Sequence, residues 1–295
     1  MYEDRTSAEV IADSIWDGVR LVSFRATLPT IVQFHLLRHR AFSFSFASMR
    51  AIPLRRQIEL VKETPFFPQQ WPKNQSGMSA SENLEGIKEE MAQAAWALAG
   101  AGAIHAAEKL GDFGVHKEIA ARLLLPFSWS TCIISTTMPG LDNFFAQRDH
   151  ADAQPEIRTL AKAMRKALDE STPEESAYHV PFGHNYLGPT NHSEDSMIRA
   201  VAHCARVSYG REMEEKTYEE DVNLVVRLLK AGHASPFEHV GIVMPETSSP
   251  YKQVAAALRR ADHLGNFEYP WSQLRHHVKD YLPTIAAKLD SEHST

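Results

Sequence analysis

The sharpest alternation in the chain is "FSFSFAS", residues 42–48, where Phe and Ser trade places. A period of two suits a half-buried strand, and an ordered loop satisfies it equally. Upstream, "GVRLVSFRATLP" gathers branched and aromatic residues and stops at Pro29, which predicts a strand. "TIVQFHLLRHR" then predicts a helix capped by Thr30. Residues 54–78, rich in Pro, Gln and Trp, read as a long irregular connection. Ser79 with Glu82 forms a capping box that opens an Ala-rich helical region running to about Leu110. That region is apolar on most faces, so burial between other helices is expected. "HKEIAARLLL" predicts a helix stopped by Pro126. Pro155 opens another, with Ile157, Leu160, Met164 and Leu168 on one face.

Residues 171–195 carry Pro, Gly, His and Asn and are the best candidate for a linker. Beyond it the pattern predicts helices over 197–207 and from Thr217 (with Glu220) to Gly232. A short strand in "EHVGIVMP" and a helix from Ser249 to Gly265, with Pro250 in its first turn, complete the reading. The sum is a helix-rich α/β or α+β fold with no internal repeat.

Composition narrows the function classes. The 295 residues are 43% hydrophobic, enough for one large core-forming domain, here read as 1–170 and 196–295 joined by the linker. The formal net charge of -6 argues against a nucleic-acid backbone as main partner. Two cysteines, Cys132 and Cys204, give neither a disulfide framework nor a metal set. "MYEDRTSAEVIADSIWDG" lacks the apolar core of a signal peptide, and no run of about 18 apolar residues predicts a membrane span. The expectation is a protein of a reducing cytoplasm.

Against that acidic background, "LLRHRAFSFSFASMRAIP" concentrates Arg38, His39, Arg40, Ser43, Ser45, Ser48 and Arg50 among apolar neighbours. Arginine forks match phosphate, and Ser48 offers a hydroxyl and a backbone N–H. Surface ion pairing is the alternative. On a helix, three adjacent residues project about 100° apart, so two anions could be served. His35 and His39 have the i, i+4 spacing of zinc-binding helices, but Leu36 replaces the needed Glu and the arginines would repel a cation. No metal is expected. In "GHASPFEH", Glu238 lies between His233 and His239 after Pro236. It is either a ligand's hydrogen-bond acceptor or a buried acid in a capped turn. Arg122, on an apolar helix, and Arg148, after two phenylalanines, are each half of an ion pair or a ligand contact. No Rossmann glycine pattern, P-loop or nucleophile elbow is present.

Together these stretches resemble the flavin-dependent thymidylate synthase family. Its hallmark is Arg-His-Arg, seven residues, then Ser, matched by Arg38-His39-Arg40 and Ser48, with Arg50 in place. "CARVSY", "GHASPFEH" and "KEIAARLLLP" followed by "NFFAQRDHADAQPEI" are also similar. In the common form "ARVSY" and "SPFEH" precede Arg-His-Arg; here they follow it. The chain therefore resembles a circularly permuted branch, which also shares the "NQSGM" and "GNFEYPWSQLR" segments.

The resemblance implies a helix-rich fold around a central, mostly antiparallel sheet. It also implies a homotetramer with active sites shared between subunits. FAD is the implied cofactor, with NADPH and 5,10-methylenetetrahydrofolate as co-substrates. The implied reaction is C5 methylation of dUMP, of UMP, or of both. Residue by residue, it assigns Arg38, His39, Arg40, Asn143, His233, Ser235 and Glu238 to the flavin. It assigns His35, Arg38, Ala47, Ser48, Arg50, Arg122 and Arg148 to the nucleotide, with Arg148 polarising the uracil. Three departures bear on the substrate: His35 stands where Gln or Glu is usual, and Phe46 where Glu is common. Met138-Pro139-Gly140 replace an Asn-x-Arg flavin contact. A hydroxymethylase, a non-catalytic nucleotide- or RNA-binding protein and a metal hydrolase are the competing readings.

Overall fold

The computed structural model describes residues 3–76, 82–183, 193–244 and 266–292. Two strands, β1 (Ser7–Trp16) and β2 (Val19–Pro29), form an antiparallel hairpin. Asp17 and Gly18 turn it, with φ of 47° and 73°. Asp-Gly suits that two-residue turn because both positions need positive φ. The remaining strands of the main sheet are β3 (Ser43–Phe46), β4 (Trp129–Thr137) and β5 (Glu174–Glu175), in the order β3-β4-β2-β1-β5. Only the short β1–β5 pair is parallel.

The helices of the first part are α1 (Gln33–Leu36), α2 (Leu54–Glu63), α3 (Ile87–Asp112), α4 (Lys117–Ala120), α5 (Met138–Arg148) and α6 (Pro155–Asp169). The second part holds α7 (Glu194–Arg206), α8 (Tyr218–Lys230), α9 (Val278–Tyr281) and α10 (Pro283–Glu292). It also holds a three-stranded sheet of β6 (Tyr178–His179), β7 (Gly241–Val243) and β8 (Trp271–Gln273). The whole is a helix-rich mixed α/β fold around mostly antiparallel sheets.

The main sheet has two unlike faces. On one, Val22, Phe24, Leu28 and Ile134 pack with Leu141 and Phe144 of α5 and Ile157, Leu160 and Met164 of α6. The other face carries buried serines on four adjacent strands: Ser14, Ser23, Ser135 and Ser45. A buried hydroxyl needs a partner. Two histidines from the second part supply it. His179 spans Ser14 (3.0 Å) and Ser23 (2.8 Å), Ser23 meets Ser135, and His239 spans Ser135 (2.8 Å) and Ser45 (2.9 Å). A neutral imidazole donates from one nitrogen and accepts at the other, so the whole row is satisfied with its protons aligned in one direction. The close approach that this requires explains Gly241: a Cβ there would lie 2.6 Å from Leu21.

Several sequence expectations change. β1 was not anticipated; a register shift between Val10 and Ala12 breaks its alternation. Residues 54–63, expected in an irregular connection, form α2, whose Leu54, Ile58 and Val61 recur at helical spacing. "FSFSFAS" resolves as the strand β3. The predicted helix 30–40 is a 3-10 turn over Thr30–Val32 followed by α1, and Pro29 rather than Thr30 precedes it. The segment through Pro126 is α4 followed by a 3-10 stretch, not one α-helix. The Ala-rich helix α3 starts at Ile87, and Ser79 lies outside the described residues. So does the helix expected from Ser249 to Gly265. α3 is not buried between helices. Trp96, Gly100, Ile104 and Ala107 face inward, while Ile87, Met91 and Leu98 are 68%, 66% and 75% exposed.

Burial pushes His179 and His239 down to about 3. The unfolded chain takes up protons near 6.5 that the folded chain refuses until about 3. Their stability contribution is therefore complete above pH 6.5 and is lost as pH falls through that window. Urea unfolding at a series of pH values should show a loss of about 1.4 kcal/mol per pH unit for each histidine. The slope should lessen in His179→Gln.

Candidate active site

α1 ends at Leu36, and the chain turns sharply. The His39 N–H donates to the Leu36 carbonyl at 3.0 Å and the Arg40 N–H to the Arg38 carbonyl at 3.1 Å. Helical 100° spacing thus does not apply to Arg38-His39-Arg40. The turn buries His39 and leaves Arg38 and Arg40 exposed. The imidazole packs edge-on against Phe144, with centroids 4.9 Å apart. Arg148, the last residue of α5, donates Nε–H to His39 Nε2 at 2.9 Å. His39 therefore carries its proton on Nδ1. Burial, Arg148 and Arg38 together hold its pKa down to about 4. Burial and Arg38 also lower the pKa of Arg148.

These residues line a cavity of about 440 Å³ with Arg38, Arg40, Asn143, Gln147 and Arg148 on its walls and no carboxylate among its described lining. Asn143 accepts from Gln147 at 2.8 Å, one helical turn away. Gly140 forms part of the wall. A Cβ there would lie 2.2 Å from Thr136 Oγ1, which gives the departure at Met138-Pro139-Gly140 a packing reason. Arg38 and Arg148 also face a larger cavity of about 890 Å³ together with His35.

Ala47, Ser48, Arg50 and Arg122 lie elsewhere, in a cavity of about 630 Å³ beyond the far end of β3. The four residues of β3 span roughly 13 Å at 3.3 Å each. Arg50 (3.5 Å) and Arg122 (3.3 Å) both reach Glu118, and Arg122 is exposed rather than held on an apolar helix. The Ser48 backbone N–H is already engaged, donating to the Ser208 carbonyl at 2.9 Å. Only the hydroxyl remains for a ligand. "CARVSY" thus supplies architecture: Ser208 holds this loop, and buried Arg206 pairs with fully buried Asp221. Burial raises the Cys204 and Cys132 thiols, so neither is an activated nucleophile.

Ser235 and Glu238 form a 3-10 turn after His233. His233 and Ser235 are exposed. Glu238 ion-pairs with Arg275, and Gln273 ties its carbonyl (3.2 Å) to Ser43 (2.7 Å). Burial nevertheless keeps the Glu238 carboxyl above its usual range. None of the three cavities counts His233, Ser235 or Glu238 in its described lining. One copy of the chain therefore holds the candidate residues as three separate groups. Among the described residues no cluster could hold a metal, and Arg38 and Arg148 help lower the pKa of both His35 and His39. Sequence reasoning missed Glu118, Asp221 and Arg275. Each is an acid or base whose partner is distant in sequence or one turn away, and only the Glu118–Arg122 spacing of i, i+4 was readable in advance.

Two outcomes follow from this geometry. A proton titration of His39 by NMR should give a midpoint near 4, moving upward in Arg148→Met but short of 6.5, because burial is the larger cause. Asp221→Asn strands a buried guanidinium and should cost about 3–5 kcal/mol in chemical denaturation.

A search of the curated proteins gives no match. The solved structures similar to this chain include two of one protein. One is a UMP/dUMP methylase, PolB from Streptomyces cacaoi, bound with 5-Br dUMP: 17% identity, 57% of this chain and 92% of that chain, TM-score 0.46. The other is the same protein bound with 5-Br UMP: 17% identity, 57% and 91%, TM-score 0.48. Among described residues no helix is long and apolar enough to cross a membrane. The family model "Thymidylate synthase complementing protein" matches residues 20–174, just over half of the chain, spanning the Arg38 turn, the Ser48 loop, Arg122 and Arg148. The chain belongs to the thymidylate synthase complementing protein family.

Proposed function

We propose that this chain is a flavin- and folate-dependent C5 methyltransferase of a uridine monophosphate, dUMP or UMP. The observation that carries the reading is Arg148 held by a neutral acceptor. An arginine drawn partly out of water, as Arg148 is, is ordinarily paired with a carboxylate that offsets its charge. His39 fixes Nε of Arg148 while leaving its full positive charge to act on a ligand. A guanidinium fork against a uracil ring stabilises negative charge on the ring oxygen and N3, which makes C5 more nucleophilic. The C5 proton is lost as the methylene carbon passes from the folate nitrogen to C5, and a hydride's two electrons drawn from NADPH complete the methyl group, so that tetrahydrofolate and NADP+ are released. FAD, when bound, supplies the hydride chemistry between these partners.

The residues present fit that cofactor. Arg38, Arg40 and Asn143 surround a cavity with no carboxylate among its described lining, suited to a diphosphate. On the far side of β3, Arg50, Arg122 and the Ser48 hydroxyl would take the nucleotide phosphate in exchange for Glu118. Because one copy keeps these groups apart, a complete site draws on more than one subunit. The exposed stripe of Ile87, Met91 and Leu98 on α3 offers a surface for such packing, consistent with a homotetramer that works in the cytoplasm.

Purified protein should be yellow and should add one methyl to dUMP, UMP or both when the two compete in the presence of FAD, NADPH and methylenetetrahydrofolate, with products read by mass. Flavin-loaded protein that methylates neither would overturn the reading. Arg148→Lys keeps the charge but loses the fork, so kcat should fall about 100-fold with flavin content unchanged.

A further inference from the structure

The 890 Å³ cavity lined by Arg38 and Arg148 is also lined by Lys73, Arg158 and Lys162 and by the side-chain amides of Gln70 and Asn74. Asp152 is the one carboxylate in its described lining, against five arginines and lysines, in a chain whose net charge is -6. Arg158 and Lys162 stand at i, i+4 on α6, where like charges destabilise a helix. The other cations of α6 are neutralised: Arg165 by Asp149 at 3.1 Å and Lys166 by Glu170 at 3.9 Å. Among the described residues, Arg158 and Lys162 have no acidic partner, and Nε of Arg158 is buried with no hydrogen bond. Lys73 is paired, with Glu82 at 2.9 Å. The two α6 cations left without acids are the two that face the cavity.

We infer that Arg158 and Lys162 in this cavity bind the γ-linked polyglutamate tail of the folate co-substrate, an inference that rests on the proposed function. A one-carbon donor must place its reacting end beside Arg148. What extends from that end is a chain of amides closing in several carboxylates. The cavity offers matching groups: Arg38 and Arg148 for the reacting end, side-chain amides in its lining, and Arg158 and Lys162 without acids on α6. Neither residue belongs to the machinery placed around the uracil or the flavin. The 2′-phosphate of NADPH is also an anion at the far end of a co-substrate, but a single phosphate does not call for the amide-lined stretch.

The test is equilibrium binding by calorimetry to the FAD-loaded oligomer, using pteroyl-monoglutamate, pteroyl-tetra-γ-glutamate and NADP+ as unreactive probes. The tetraglutamate should bind about tenfold tighter than the monoglutamate, with the difference shrinking in high salt. Lys162→Gln, at an exposed position, should remove part of the difference, and Arg158→Gln with Lys162→Gln all of it. Monoglutamate and NADP+ affinities should stay within about twofold. Equal binding of the two folates, no binding of either, or a loss that falls on NADP+ overturns the inference. These readouts need no turnover. Protein that methylates neither nucleotide yet keeps the tail preference refutes the activity and retains this site; protein that methylates without the preference does the reverse.

Discussion

The row of hydrogen bonds from Ser14 through His179, Ser23, Ser135 and His239 to Ser45 is the constraint on which the rest of the structure depends. A sheet face that buries four hydroxyls is costly unless each is paired. Two neutral histidines pair them, and both come from beyond residue 175, so the sheet cannot close its polar face without the second part of the chain. The same histidines fix function-bearing segments. His239 adjoins Glu238, and Ser45 sits in β3, the strand that separates the Arg38 turn from the Ser48 loop.

A second theme is cationic charge left uncancelled. Arg148 leans on a neutral imidazole, Arg38 lies close enough to lower its pKa, and the smaller of the two cavities they share has no carboxylate among its described walls. At the other end of β3, Glu118 holds Arg50 and Arg122 through long, partly exposed contacts of the kind that a phosphate can displace. Elsewhere the chain pairs its buried charges firmly, as at Arg206 with Asp221. On the proposed function, the contrast separates groups that hold the fold from groups that take an anion.

The hydrophobic periodicity of Ile157, Leu160, Met164 and Leu168 made α6 legible, and Thr217 with Glu220 marked the start of α8 through a capping box that the structure contains. Short elements fared worse. β1 hid behind a bulge although Asp17-Gly18 announced its turn, and the Arg38 turn hid inside an apparently continuous helical pattern. α3 was misjudged because one chain's sequence does not say which apolar stripe its own core will cover.

By itself the sequence determined the local elements, the cation-rich stretch and the family motifs, because propensity, turn chemistry and motif spacing act over a few residues. Only the tertiary structure decided which groups meet. His39 with Arg148 and Ser45 with His239 are pairings across 109 and 194 residues. The distribution of the candidate residues over separate cavities, and the pairing of Glu238 with Arg275, were likewise decided there. Hydrogen bonds and ion pairs act over a few ångströms of space, and the chain's path through the sheet sets those distances, not its spacing along the sequence.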